Sequence, residues 1–177
     1  MNTETIIWLL LVVFMIHDFE EIIMMSVWMQ KNKPDLLERF PRLTPGLLRL
    51  TGDLSTPAFA LAVAVLFITL SVFTILTIQF RLYTLWSGLL LIFSIHFIMH
   101  FASWIIMRRY VPVIITSILS LGYCVFAFWH MLVIVQLTWK DILMGIVMAI
   151  PLLLIVLPLS LLLAKSFDRW LSGYSHS

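Results

Sequence analysis

Four ionisable side chains fall within five positions of one apolar stretch: His17, Asp18, Glu20 and Glu21. A second apolar stretch carries His96 and His100. On a helix, His17, Glu20 and Glu21 stand at i, i+3 and i+4 and share a face, as do His96 and His100 at i, i+4. Asp18 lies about 100° round from His17, at the edge of its face. A His-x-x-x-His helical pair can bring two imidazoles to one metal. The candidate ligands are therefore His17, Glu20, Glu21, His96 and His100, a set that suits a divalent metal. Zinc is favoured, and iron or manganese take similar sets in helical bundles. A catalytic zinc takes three protein ligands and keeps one position for water. Whichever of Glu20 and Glu21 stays off the metal is then the candidate general base for hydrolysis or transfer.

The elements that must position these groups are membrane helices. Hydrophobic residues make up 62% of the 177 positions and charged residues 11%, with a mean hydropathy of +1.08. A soluble domain carries roughly 45–50% apolar and about 25% charged residues. Five windows match the roughly 20 apolar residues a span requires: about 5–29, 57–78, 82–107, 111–136 and 142–164. The expected fold is a single all-α polytopic bundle of about five spans. The start of the chain has no basic region and the first apolar run no small-residue cleavage site, so the run is read as a retained helix. Pro151 and Pro158 are expected to kink the last span, and Pro112 to open the fourth.

Basic residues set the expected orientation. The side of the long 30–56 loop holds Lys31, Lys33, Arg39, Arg42, Arg49, Arg108, Arg109, Lys165 and Arg169, against Arg81 and Lys140 on the other. The loop and the 165–177 tail are then cytoplasmic and the N-terminus outside, as in a bacterial cytoplasmic membrane. The loop mixes leucines with arginines and reads as short amphipathic segments on the membrane surface. No basic, aromatic-interleaved stretch suggests nucleic acid. The single cysteine, Cys124, excludes an intrachain disulfide and a cysteine-rich zinc site.

Depth brings the polar residues together. Counting 1.5 Å per residue from the loop-side ends puts His17 about 18 Å and Glu21 about 12 Å in, with His96 at about 16 Å and His100 at about 10 Å. Asp18 is expected beside the site. Thr116, Ser117, Ser120 and Tyr123 on the fourth span offer polar groups at matching depth. His130 counts to the opposite interface, next to Trp129, and is expected to be interfacial. His176 lies in the tail. Arg108 and Arg109 are placed to snorkel to phosphates or to hold an anionic headgroup over the site.

Ionisable groups at mid-bilayer cost a few kcal/mol each, so pairing or function must retain them. A metal site beside the headgroup zone points to a lipid or lipidated substrate. Two other readings stand beside it. One is a proton or cation relay in a transporter, with no inverted repeat in the sequence to favour it. The other is a buried ion network that only locks helices together. The number of copies in the functional unit is left open.

The run His17-Asp18-Phe19-Glu20-Glu21 resembles the motif that names the HXXEE-domain family of small bacterial multi-span membrane proteins. His17, Glu20 and Glu21 fall on its fixed positions. A second segment is also similar: His100-Phe101-Ala102-Ser103, then Arg108-Arg109-Tyr110-Val111-Pro112, then Ile115-Thr116-Ser117. The family often has glycine after that proline. Val113 stands there in this chain, so a tighter or less flexible turn is expected. The resemblance covers the first four spans. It implies functional weight on His17, Glu20, Glu21 and His100, and no particular activity.

Overall fold

The computed structural model describes residues 1–42 and 54–174. Five helices follow one another: α1 (Thr3–Arg39), α2 (Thr56–Phe80), α3 (Tyr83–Met107), α4 (Ile114–Val133) and α5 (Trp139–Tyr174). There is no strand among the described residues. Residues 43–53 of the expected amphipathic loop, and His176, lie outside them.

By length and composition, α2, α3, α4 and α5 are each suited to cross a membrane. The apolar run of α1 is the exception because it meets Asp18, Glu20 and Glu21. Yet Trp8, Val12, Ile16, Phe19, Ile23 and Val27 are all exposed on α1. Their three- and four-residue spacing makes one apolar stripe, as expected of a helix with one face in lipid. The opposite face buries Ile6, Ile7, Leu10, Leu11 and Phe14 in the main core with Val63, Leu70, Trp86, Leu90, Phe97, Cys124, Ala127 and Met131.

The chain order makes α1 antiparallel to α2 and α4, and it packs on both. Its partner across the bundle, α3, packs on α2, α4 and α5. Two glycines allow the closest crossing: a Cβ added to Gly88 would run into the Gly145 backbone, and one on Gly145 into the Thr84 carbonyl. Small residues let helix backbones approach in this way where lipid offers no hydrophobic drive to associate.

Several ends differ from the sequence expectation. Polar residues after Met29 suggested a stop, but α1 continues through Pro34 to Arg39. Its 37 residues reach about 55 Å, against about 30 Å of hydrocarbon. The extension is held by packing: Met29 and Leu36 are buried with Met107 at the end of α3 and Val111 in the α3–α4 strap, residues 108–113. Helix α5 likewise runs to Tyr174, through Pro151 and Pro158, so most of the expected tail is helical. Its loop-side end is tied to α2, where the Ser55 hydroxyl donates to Asp168. Helix α4 is shorter than its apolar window and starts at Ile114 rather than at Pro112. The cause is Val113, with φ 66° and ψ 4°. That left-handed conformation suits glycine and is costly for a β-branched residue.

A Gly145→Ala variant is expected to lose about 1–3 kcal/mol of stability through forced separation of α3 and α5. Gly122→Ala, whose added Cβ meets nothing within 4 Å, is the control and should melt at or above the wild-type temperature in detergent. Equal melting of the two variants would contradict the close crossing.

Candidate metal centre

His17 on α1 is fully buried, and it points across the bundle at α3. Its Nε2 lies 3.3 Å from His96 Nε2, which in turn lies 3.0 Å from His100 Nε2. Ligating atoms of all three imidazoles fall within 4.8 Å of one another. In a tetrahedral site with Zn–N near 2.0–2.1 Å, ligand nitrogens stand roughly 3.3 Å apart. The three histidines could thus hold one metal ion. Phe93 and Phe97 pack against the rings and restrict their rotation, with Phe97 4.8 Å from His17 and Phe93 6.3 Å from His96, centroid to centroid.

The same contacts are hard to satisfy with neutral histidines alone. A neutral imidazole carries one N–H. His96 Nε2 makes both close contacts, so its one proton or lone pair serves two neighbours. A cation accepting three lone pairs would satisfy all three rings at once.

The carboxylates occupy other places. Glu20 turns toward the start of α4, where it accepts from the Thr116 hydroxyl at 2.8 Å, the Thr116 backbone N–H at 3.4 Å and the Tyr110 phenol at 2.9 Å. Helix α4 has no side-chain cap of its own. The first N–H groups of a helix lack intrahelical partners and favour negative charge, so Glu20 caps α4 from another helix. The Thr116 hydroxyl also sits 3.3 Å from His17 Nδ1, linking this cap to the histidines. Asp18 is buried, 6% exposed, with Oδ2 lacking a hydrogen-bond partner. Glu21 is half-buried one helical turn from His17. Among the described residues, none of the three acids joins the metal-capable group.

The fourth helix contributes selectively. Ser117 is buried with an unpartnered hydroxyl, and Ser120 is buried too. Tyr123, expected beside the site, instead donates to the Ile6 carbonyl at 2.7 Å. Seven residues beyond Thr116, it has moved about 10 Å along the helix axis, away from the histidines. His130 is buried at the end of the bundle where α1 begins, and its Nε2 lies 3.0 Å from the Thr3 hydroxyl.

At the loop side, Arg109 bonds Asn32 Oδ1 and Asp35, each at 3.1 Å, while Arg39 pairs with Asp35 at 3.1 Å. Trp28 Nε1 donates to the Tyr110 carbonyl at 3.0 Å. Arg109 therefore fastens the α3–α4 strap to the α1 extension. These charges are partly exposed, and such pairs contribute little individually. Sequence reasoning missed Tyr110 as the partner of Glu20 and missed Asn32 and Asp35 entirely. The Arg-Arg-Tyr-x-Pro segment was the available signal, since it places a phenol just before α4. Burial, then the hydrogen bond to Glu20, pushes the Tyr110 phenol up, so it stays a protonated donor.

Fold and site together define a helical membrane protein with a three-histidine cluster between two helices. The family described as "Protein of unknown function with HXXEE motif" matches residues 8–128, and the chain belongs to it. No curated protein and no solved structure matches the chain.

Removing the cap with Glu20→Ala is expected to destabilise the protein by about 0.5–2 kcal/mol. Glu20→Gln, whose amide oxygen still accepts, should lose less. Thermal melts that place the alanine variant level with wild type would show that the cap contributes nothing.

Proposed function

We propose that this protein is a metal-dependent enzyme of the membrane interior. His17, His96 and His100 hold one divalent ion, with zinc favoured over iron or manganese. The fourth position takes water for hydrolysis, or an acceptor for transfer, on a lipid or lipidated substrate. The observation that carries this reading is the convergence of three imidazoles from two helices, with ligating nitrogens all within 4.8 Å of one another and His96 Nε2 3.3 Å and 3.0 Å from the Nε2 atoms of His17 and His100.

Access supports the substrate class. His96 is exposed, and so are Ile95 and Met99, which lie about 100° and 60° round α3 on the same side of it. One edge of the histidine cluster thus borders the apolar outer surface. Lateral entry from the bilayer suits an acyl-bearing molecule. Glu20 is committed to three donors, which leaves Glu21, on the His17 face, as the better candidate to handle the proton of the metal-bound water. The excess of basic residues on the loop side favours a cytoplasmic position for that side, in a bacterial cytoplasmic membrane. The site then opens in the cytoplasmic half of the bilayer. Arg108 is left to meet headgroups there.

A second reading is a proton or cation relay. Asp18 favours it, being buried with one carboxylate oxygen unpartnered.

Elemental analysis of untagged protein in mild detergent tests the choice. Near-stoichiometric metal in wild type, lost in a His17→Ala, His100→Ala double variant and retained in Glu21→Gln, is the expected result. Absence of metal from well-folded wild-type protein after incubation with zinc, iron and manganese would refute the metal reading. Proton-flux measurements in vesicles would then examine the relay.

A further inference from the structure

A histidine can present only one ring nitrogen as a metal ligand at a time, and the hydrogen bond at its other nitrogen decides which. The surroundings of His17 make that decision through Thr116. A threonine hydroxyl has one proton. Three acceptors compete for it: Glu20 at 2.8 Å, the Val113 carbonyl at 3.3 Å and, in the Nε2–H tautomer, His17 Nδ1 at 3.3 Å. The carboxylate is both closer and charged, and charge-assisted bonds are the stronger. With its proton given to Glu20, the Thr116 oxygen can only accept from His17 Nδ1, 3.3 Å away. That requires the proton of His17 to sit on Nδ1. The lone pair is then on Nε2, the nitrogen that faces His96.

We propose that Thr116 is a positioning residue that fixes His17 in its Nδ1–H tautomer and so aims the Nε2 lone pair at the metal position. It acts as the middle of a chain of hydrogen bonds from Tyr110 through Glu20 and Thr116 to His17. Both ends of Glu20 are used: the Tyr110 phenol donates to Oε1 and Thr116 to Oε2. The phenol thereby holds Glu20 in the rotamer that takes the Thr116 proton. The chain crosses three parts of the fold, since Glu20 and His17 belong to α1, Thr116 to α4 and Tyr110 to the α3–α4 strap. The motif spacing gains a physical meaning here. The His faces the other imidazoles, and the Glu three residues on fixes the His tautomer through a neighbouring helix.

This inference deepens the metal reading, and its test separates the two. Wild-type protein labelled with ¹⁵N-histidine is reconstituted in vesicles without metal, beside Thr116→Val and Thr116→Ser. The His17 ring is assigned by loss of its signals in His17→Gln. Its nitrogen shifts report the tautomer directly. Wild type and Thr116→Ser are expected to show Nδ1–H, and Thr116→Val, which keeps the shape but cannot accept, to show Nε2–H or a mixture. Zinc affinity is then titrated on the same samples. Thr116→Val should weaken it by about 10–100-fold, with recovery in Thr116→Ser. Nε2–H in wild type, or an unchanged tautomer in Thr116→Val, would overturn the proposal. Wild-type protein with the expected tautomer but no zinc uptake would refute the metal reading and leave the positioning by Thr116 supported.

Discussion

A polar group held away from water must find a partner inside the protein, and in a membrane helix the chain cannot turn aside to provide one. Glu20 meets that constraint by completing the open end of another helix. Much follows from this contact. It fixes where α4 begins relative to α1, and the antiparallel pairing continues outward from there through Tyr123 on Ile6 and His130 on Thr3. It gives Tyr110 a partner and so sets the path of the strap between α3 and α4. It also uses up the Thr116 proton, which determines what His17 can offer to α3. The backbone accommodates this geometry at Val113, whose left-handed conformation is disfavoured for its residue type.

The helical class, the five helices among the described residues and the grouping of His17 with His96 and His100 were legible because they rest on strong physical signals. Long apolar runs have few folded fates, and i, i+4 spacing fixes a shared face whatever the neighbours do. The ends of α1 and α5 were not legible. Their polar continuations resemble loops in composition, and the first of them is held by tertiary contacts: Met29 and Leu36 pack against Met107 and Val111, and Asn32 and Asp35 bond Arg109. Helix starts fail for a related reason. Pro112 is a good first helical residue by type, but the left-handed turn at Val113 delays α4 until Ile114.

The candidate site shows the same division. Which residues share a face can be counted, whereas the choice of partner on a facing helix depends on rotation and axial offset. Glu20 and Glu21 differ by one position and looked interchangeable as ligands. In the fold Glu20 faces α4 and is taken by donors, while Glu21 is not. Tyr123 looked as well placed as Thr116 until the offset of α4 against α1 was fixed. Arg109 read as a headgroup contact because Asp35 seemed to belong to a separate loop, and the continued helix brings the two together.

The helices that carry the histidines both pack on α2 and α4. His17 belongs to α1, which rests on α2 and α4, whereas His96 and His100 belong to α3, whose tightest packing is against α5 through Gly88 and Gly145. On the proposed metal reading, an ion shared by these imidazoles would add a cross-link between α1 and α3 to the ring contacts of Phe14 with Phe93 and of His17 with Phe97. By mass action, an ion that binds only the folded state would add stability that grows with the logarithm of its free concentration once that exceeds the dissociation constant. The strength of that cross-link and the integrity of the membrane domain become one quantity, so metal supply would govern how long the protein survives as well as what it does.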